Sequence, residues 1–330
     1  MSGNKMSQIA RSVALVGALV LPFLGPGASQ AQTWPDRTIR IVVATAPSTP
    51  PDIVSRVIGA ELQRSEGWTV VIENKPGAMM TIGARDVAQA PGDGYSIFAP
   101  SMAISAAGAL LPNSPVDLIR DFTPVVKATI SYNVLVTKPT LPVTSMKELV
   151  DLLKKSPGKL NFASGGFGTP AHLVGELFKL EAKVEATHVP YQQLPQALQD
   201  VMGGSNDFMF VTTLPVVDLV GNGNLKALAV TSSKPLPAFK GVPTVAEQGF
   251  PQLAVEDWVG YVMRQGTSPE IVAKVNAAMN KALQSPAVRE TLQRIGAEAQ
   301  GGTAAEFGVF LQAQVRQWEG VVKSANIKMP

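Results

Sequence analysis

The chain has 330 residues, with 28 Lys and Arg against 25 Asp and Glu, a formal net charge of +3 and no cysteine. The missing cysteines exclude disulfides, cysteine–zinc sites and thiol chemistry together, and so small a charge excess gives no broad basic surface for nucleic acid. A chain of this length is long enough for two ordinary domains, each with its own core.

The N-terminus reads as a secretory signal peptide. Lys5 and Arg11 form a basic start, Ser12 to Leu24 an apolar stretch, and Ser29-Gln30-Ala31 a small-x-small cleavage site. The apolar stretch is short for a span of about 20 residues. Cleavage after Ala31 leaves 299 residues with a net charge of +1, and the sequence predicts an exported, periplasmic protein.

Beyond it, short apolar strands alternate with helices. Strands are predicted at 39–44, 69–73, 96–100, 160–163, 187–190, 207–211 and 225–231. Helices are predicted at 51–64, 82–89, 145–156, 170–180, 195–202, 269–284, 286–295 and 304–324. Turn signals such as Asp93-Gly94, Pro157-Gly158 and Gly221-Asn222-Gly223 separate them. The alternation predicts parallel sheets with helices on both faces.

Two long extended runs, 122–138 and 255–264, break the pattern and read as crossings between domains. The expected division is 32–133 plus 257–330 for one domain and 134–256 for the other. Small φ/ψ changes in two such crossings make a hinge.

Two strand–loop–helix units point to a ligand. In NFASGGFGTPAHLVGELFKL, a loop with three glycines enters a helix at Thr169-Pro170. That aims free N–H groups and the helix dipole at one point, which suits an anion. No lysine stands in the P-loop position, so a carboxylate fits better than a nucleoside triphosphate. Thr169 is expected to cap the helix. The second unit is RIVVATAPSTPPDIVSRVIGAELQR, with Ser48 and Thr49 as hydroxyl donors and Asp52 in the first helical turn.

These segments, with WPDRTIRIVV, VVIENKPGAMMTIGA, PQALQDVMGG, VPTVAEQG and VVKSANIK, resemble the substrate-binding proteins of tripartite tricarboxylate transporters, the Bug receptors. The resemblance runs from Trp34 to Lys328. It implies a periplasmic-binding-protein-like α/β fold, with two doubly wound domains, a two-strand hinge and a ligand cleft between them. It implies a receptor, not an enzyme, that delivers a small organic carboxylate to integral-membrane transporter subunits and works as a monomer. No cofactor, metal or catalytic residue is expected. The sequence departs from the family pattern at Ser48-Thr49, Met79-Met80, Gln192-Gln193 and Val211.

The expected ligand-binding residues are Ser48, Thr49, Asp52, Met80, Ser101, Ser164, Gly165, Phe167, Thr169, His172, Tyr191, Phe210 and Thr212. His172 either faces the cleft or packs at the helix start, and Met79 and Met80 are either core or pocket lining. Val211 supplies no acid for an ammonium group, and the methionines and phenylalanines suit an apolar body. The expected ligand is therefore an aromatic or weakly polar mono- or dicarboxylate, with citrate-like acids second. A receptor signalling to a membrane sensor is the other reading, and a serine hydrolase a remote third, since no G-x-S-x-G elbow is present.

Overall fold

The computed structural model describes residues 34–329, so the signal-peptide reading of residues 1–31 lies outside them. Residues from Arg37 onward form one compact unit, and residues 34–36 fall in another. No described helix is long and apolar enough to cross a membrane.

The first sheet starts with β1 (Ile39–Val43), whose apolar IRIVV lies between β2 (Val70–Asn74) and β3 (Ser96–Ala99), parallel to both. Between them run α1 (Pro50–Glu66) and α2 (Thr81–Ala88). Helix α1 opens on a Pro-Pro pair and stops at Gly67, which holds φ 70° as a left-handed cap. After the short α3 (Ala107–Leu110), β4 (Phe122–Ser131) runs to the edge of the second lobe.

The chain crosses at Tyr132 into β5 (Asn133–Thr137). There follow α4 (Met146–Lys155), β6 (Asn161–Ser164), α5 (Pro170–Ala182), β7 (Thr187–Pro190), α6 (Leu194–Met202), β8 (Phe208–Thr212), the short α7 (Val217–Gly221) and β9 (Lys226–Val230). The chain returns through β10 (Asp257–Arg264) and closes with α8 (Pro269–Gln284), α9 (Pro286–Arg294), β11 (Ala297–Ala299) and α10 (Ala304–Ser324).

The result is a six-stranded sheet ordered β11-β4-β10-β3-β1-β2 and a five-stranded sheet ordered β7-β6-β8-β5-β9. Both are mixed, which corrects the expectation of purely parallel sheets. Strand β10 is antiparallel to β3 and β4, and β5 is antiparallel to β8 and β9. Both β5 and β10 enter their sheets from the other lobe, and so run against the strands of the local β–α units; the short β11, antiparallel to β4, instead follows α9 within the first lobe.

The β10 strand is held by close packing. A Cβ on Gly260 would fall 2.1 Å from the Phe307 ring of α10, so only glycine lets that ring lie on the strand. Trp258 and Tyr261 on β10 are buried core side chains, and the Tyr261 hydroxyl donates to Ser55 Oγ at 3.1 Å. Helix α10 begins with a capping box. Thr303 Oγ1 accepts from the Glu306 N–H at 3.1 Å, and the Thr303 N–H donates back to Glu306 Oε2 at 2.7 Å. This helix packs on β4 and also touches α5 under the other sheet.

Candidate functional site

A cavity of about 660 Å³ opens where the two sheets meet. One wall comes from the β1–α1 loop (Thr45, Thr49) and the β2–α2 loop (Met79, Met80); the facing wall comes from the β6–α5 loop (Gly165, Phe167, Gly168, Thr169), the start of α5 (Pro170, Ala171) and the end of β8 (Thr212). At the crossings it is lined by Ser131, Asn133, Asp257 and Val259. Of the predicted site residues, the structure brings Thr49, Met80, Ser101, Gly165, Phe167, Thr169 and Thr212 together around this cleft.

The remaining six predicted residues are not among its lining, and each has a local reason. Ser48 turns its backbone away at φ 65°, and its N–H donates to Asp52 Oδ2 at 2.9 Å. Asp52 is buried under the loop. Burial alone would raise its carboxyl, but hydrogen bonds from Arg56, Asn74 and the Ser48 N–H outweigh that and hold it below the usual carboxylate range. Phe210 faces the core, where it packs on Phe178 at a ring separation of 5.7 Å. Side chains alternate along β8, so Met209 and Val211 reach the cleft within the strand, and Thr212 joins them at its end. The Tyr191 hydroxyl donates to Asp200 Oδ2 and accepts from Asn206 Nδ2, both at 2.6 Å, and its neighbour Gln192 lines the cleft instead.

Ser164 and His172 belong to a buried cluster beneath the glycine-rich loop. Ser164 Oγ lies 2.6 Å from His188 Nε2 and accepts from the Gly166 N–H. The two histidine rings stack at 4.2 Å, with the Phe167 ring edge-on to both. The Gly168 N–H donates to His172 Nδ1 at 3.0 Å, which puts that ring's proton on Nε2. Burial pushes His172 down to about 3 and His188 down to about 4, helped by the neighbouring Lys179 charge and, for His172, by the other imidazole. The histidines therefore act as neutral packing groups that shape the loop from below.

Both N-cap threonines turn away from their helices. The Thr169 hydroxyl donates to Gly166 O at 2.7 Å, and the Thr49 hydroxyl donates to Ala46 O at 2.7 Å. Neither caps a helix N–H, which corrects the expected Thr169 cap. In α5 this leaves the N–H groups of Ala171 and His172 without a side-chain cap, and Ala171 lines the cleft. Helix α1 offers less, because Pro50 and Pro51 have no N–H and the Asp52 carboxylate already occupies its first turn. The anion-binding potential is thus concentrated at α5.

The methionine loop is strained. Ala78, Met79 and Met80 hold φ values of 44°, 51° and 71°. Such conformations cost of order 1–3 kcal/mol per residue and persist only where the surroundings enforce them. Ser101 Oγ donates to Met80 Sδ at 3.3 Å, fixing that side chain at the cleft wall.

Sequence reasoning missed Asn133 and Asp257. The cleft does contain an acid, which corrects the reading that rested on Val211. Asp257 is the one charged residue lining the cleft, among the described residues. The signal in the sequence is an acid at the head of the otherwise apolar strand Trp258 to Met263.

Two mixed α/β lobes facing one another across a cleft, with a helix N-terminus aimed into it, define a two-lobed solute-binding protein. The sequence of residues 54–327 matches the tripartite tricarboxylate transporter family receptor model, and the chain belongs to that family. It is 32% identical over 323 residues to protein BugT of Bordetella pertussis, covering 97% of this chain and 99% of that one. Among solved structures it is similar to periplasmic binding protein BugD, with a TM-score of 0.77 and 30% identity, covering 89% of this chain and 99% of that one. It is also similar to R. palustris Rpa4515 with adipate, with a TM-score of 0.79 and 32% identity over the same shares.

Proposed function

We propose that this receptor is a periplasmic solute-binding protein that traps a small organic carboxylate between its lobes and hands it to the membrane subunits of a tripartite transporter. The observation that carries this reading is the α5 N-terminus, which has no side-chain cap and whose Ala171 lines a cleft without any lysine or arginine in its lining. Backbone N–H groups and the dipole would hold the carboxylate, with the Thr49, Ser101 and Thr212 hydroxyls beside it. Met79, Met80 and Phe167 would cover the ligand's apolar body. The adipate on the similar R. palustris protein supports the ligand class.

In this reading the chain works as a monomer whose lobes meet at Tyr132 and Asp257, and closure about those points excludes water from the bound acid. It is not an enzyme. The Ser164–His188 pair superficially resembles a nucleophile and base. However, Ser164 is fully buried, and His188 Nδ1 has no partner among the described residues to orient it.

Thermal-shift screening of the purified protein against mono-, di- and tricarboxylates tests the reading. A ligand present at 100 times its Kd stabilises by about 2.7 kcal/mol. At least one acid should raise Tm in a saturable way, and failure of every acid in a broad panel would contradict it.

A further inference from the structure

We propose that the crossing end of the cleft is a cation subsite, formed by Asp257 and Asn133, and that the ligand is an acid carrying a protonated amine at its far end. This rests on the carboxylate reading above and adds the second pole of the ligand.

Two independent features meet there. Asn133 is completely buried, yet neither its Oδ1 nor its Nδ2 has a hydrogen-bond partner among the described residues, and it lines the cleft. A buried carboxamide with both ends unpaired is costly unless something enters to satisfy it. Asp257 lines the same end. The Trp258 N–H donates to its Oδ1 at 2.9 Å, and among the described residues no ion pair or hydrogen bond involves Oδ2.

The backbone brings the two together. Asp257 begins β10 opposite Ser131 on β4, and Asn133 begins β5 just beyond the crossing at Tyr132. One group therefore belongs to each sheet. A donor bound between them would tie the lobes at the point where they move.

Asp257 selects the charge of that donor. Burial without a counter-charge pushes its carboxyl up to about 7, so the protein supplies no partner for the ionised form. An ammonium group supplies the missing charge and three N–H donors, enough for Asp257 Oδ2 and Asn133 Oδ1 together. A second carboxylate in the same place would meet like charge whenever Asp257 is ionised, and could enter only by keeping it protonated. A methyl group would leave both acceptors unpaired.

Matched acids test this by calorimetry at neutral pH. One series is 6-aminohexanoate, hexanoate and adipate; the other is 4-(aminomethyl)benzoate, 4-methylbenzoate and terephthalate. In at least one series the amine should bind tenfold or more tighter than both partners. Asp257→Asn should abolish that preference, so that the amine binds no tighter than the methyl-ended acid to the same variant. Asp257→Ser serves as a second variant should the first fold poorly.

If the dicarboxylate or the methyl-ended acid binds as well as the amine, the subsite is wrong and the carboxylate receptor stands. An amine preference that survives Asp257→Asn overturns the assignment to Asp257. If all six acids fail to bind, the proposal falls together with the reading beneath it.

Discussion

Met79 lies against Gly168 from the opposite side of the cleft: a Cβ built on residue 168 would sit 2.4 Å from the Met79 methyl carbon. Gly168 also holds φ 73°, a region that disfavours side chains. The contact joins the β2–α2 loop of one lobe to the glycine-rich loop of the other.

Gly168→Ala should therefore weaken carboxylate binding by tenfold or more. It adds backbone strain of roughly 1–2 kcal/mol and prevents the two loops from closing. Adding Met79→Ala should recover the steric part and leave the strain. The check is a double-mutant cycle on ligand affinity. Additive losses would show that the two residues do not meet in the bound form.

The buried histidine stack makes stability depend on pH. Both imidazoles titrate lower when folded (about 3 for His172, about 4 for His188) than the ordinary 6.5. The unfolded chain therefore takes up protons first as pH falls. The contribution is complete above about 6.5 and is lost progressively as pH falls toward 4. Asp257 pulls the opposite way, because its folded carboxyl titrates higher, at about 7. His188→Phe keeps a stacked ring and cannot titrate, so it isolates the histidine share. The gap in Tm between variant and wild type should shift in the variant's favour between pH 7 and pH 4.5. A gap independent of pH would contradict the burial of His188.

Gly260 and Phe307 fix β10 under the C-terminal helix. Gly260→Ala should cost about 1–3 kcal/mol by overpacking, and Phe307→Leu in the same chain should return part of it. Urea unfolding checks this. A Gly260→Ala protein as stable as wild type would mean the ring is free to move aside.

Asp52 ties the β1–α1 loop to α1 and β2 through Ser48, Arg56 and Asn74. Asp52→Asn should lower stability by about 1–3 kcal/mol, because the charge-assisted bonds are lost and their partners left unmatched. It should reduce ligand affinity only through the altered loop. A large affinity loss with stability unchanged would place Asp52 on the ligand.

Much of this architecture was legible in the sequence, because helix and strand periods are local. Pro269 and Ala304 begin helices where the pattern predicts them, and the extended runs at 122–138 and 255–264 form the strands β4, β5 and β10. The three-residue β11 was not legible, being too short to show alternation. The site was read less well, since facing is set by tertiary geometry. Phe210 and Val211 are adjacent on β8 and point to opposite faces, and nothing local says which face meets the cleft. Thr169 has the sequence of a cap, yet its hydroxyl bonds backward to Gly166 O, a choice made by the glycine-rich loop. Asn133 and Asp257 lie far apart in the chain and converge only through the crossings.

The N–H of Ala171 carries the weight of the carboxylate reading. Helix α1 shows that a helix in this protein can begin Thr-Pro-Pro, so Ala171→Pro gives α5 the same start while deleting that one donor. Losing a hydrogen bond to a charged group costs about 1.5–3 kcal/mol. Calorimetry with an acid that binds the wild type should show affinity down roughly tenfold to a hundredfold in Ala171→Pro, with Tm nearly unchanged. Wild-type affinity in a folded Ala171→Pro protein would mean that the ligand's carboxylate is held somewhere else.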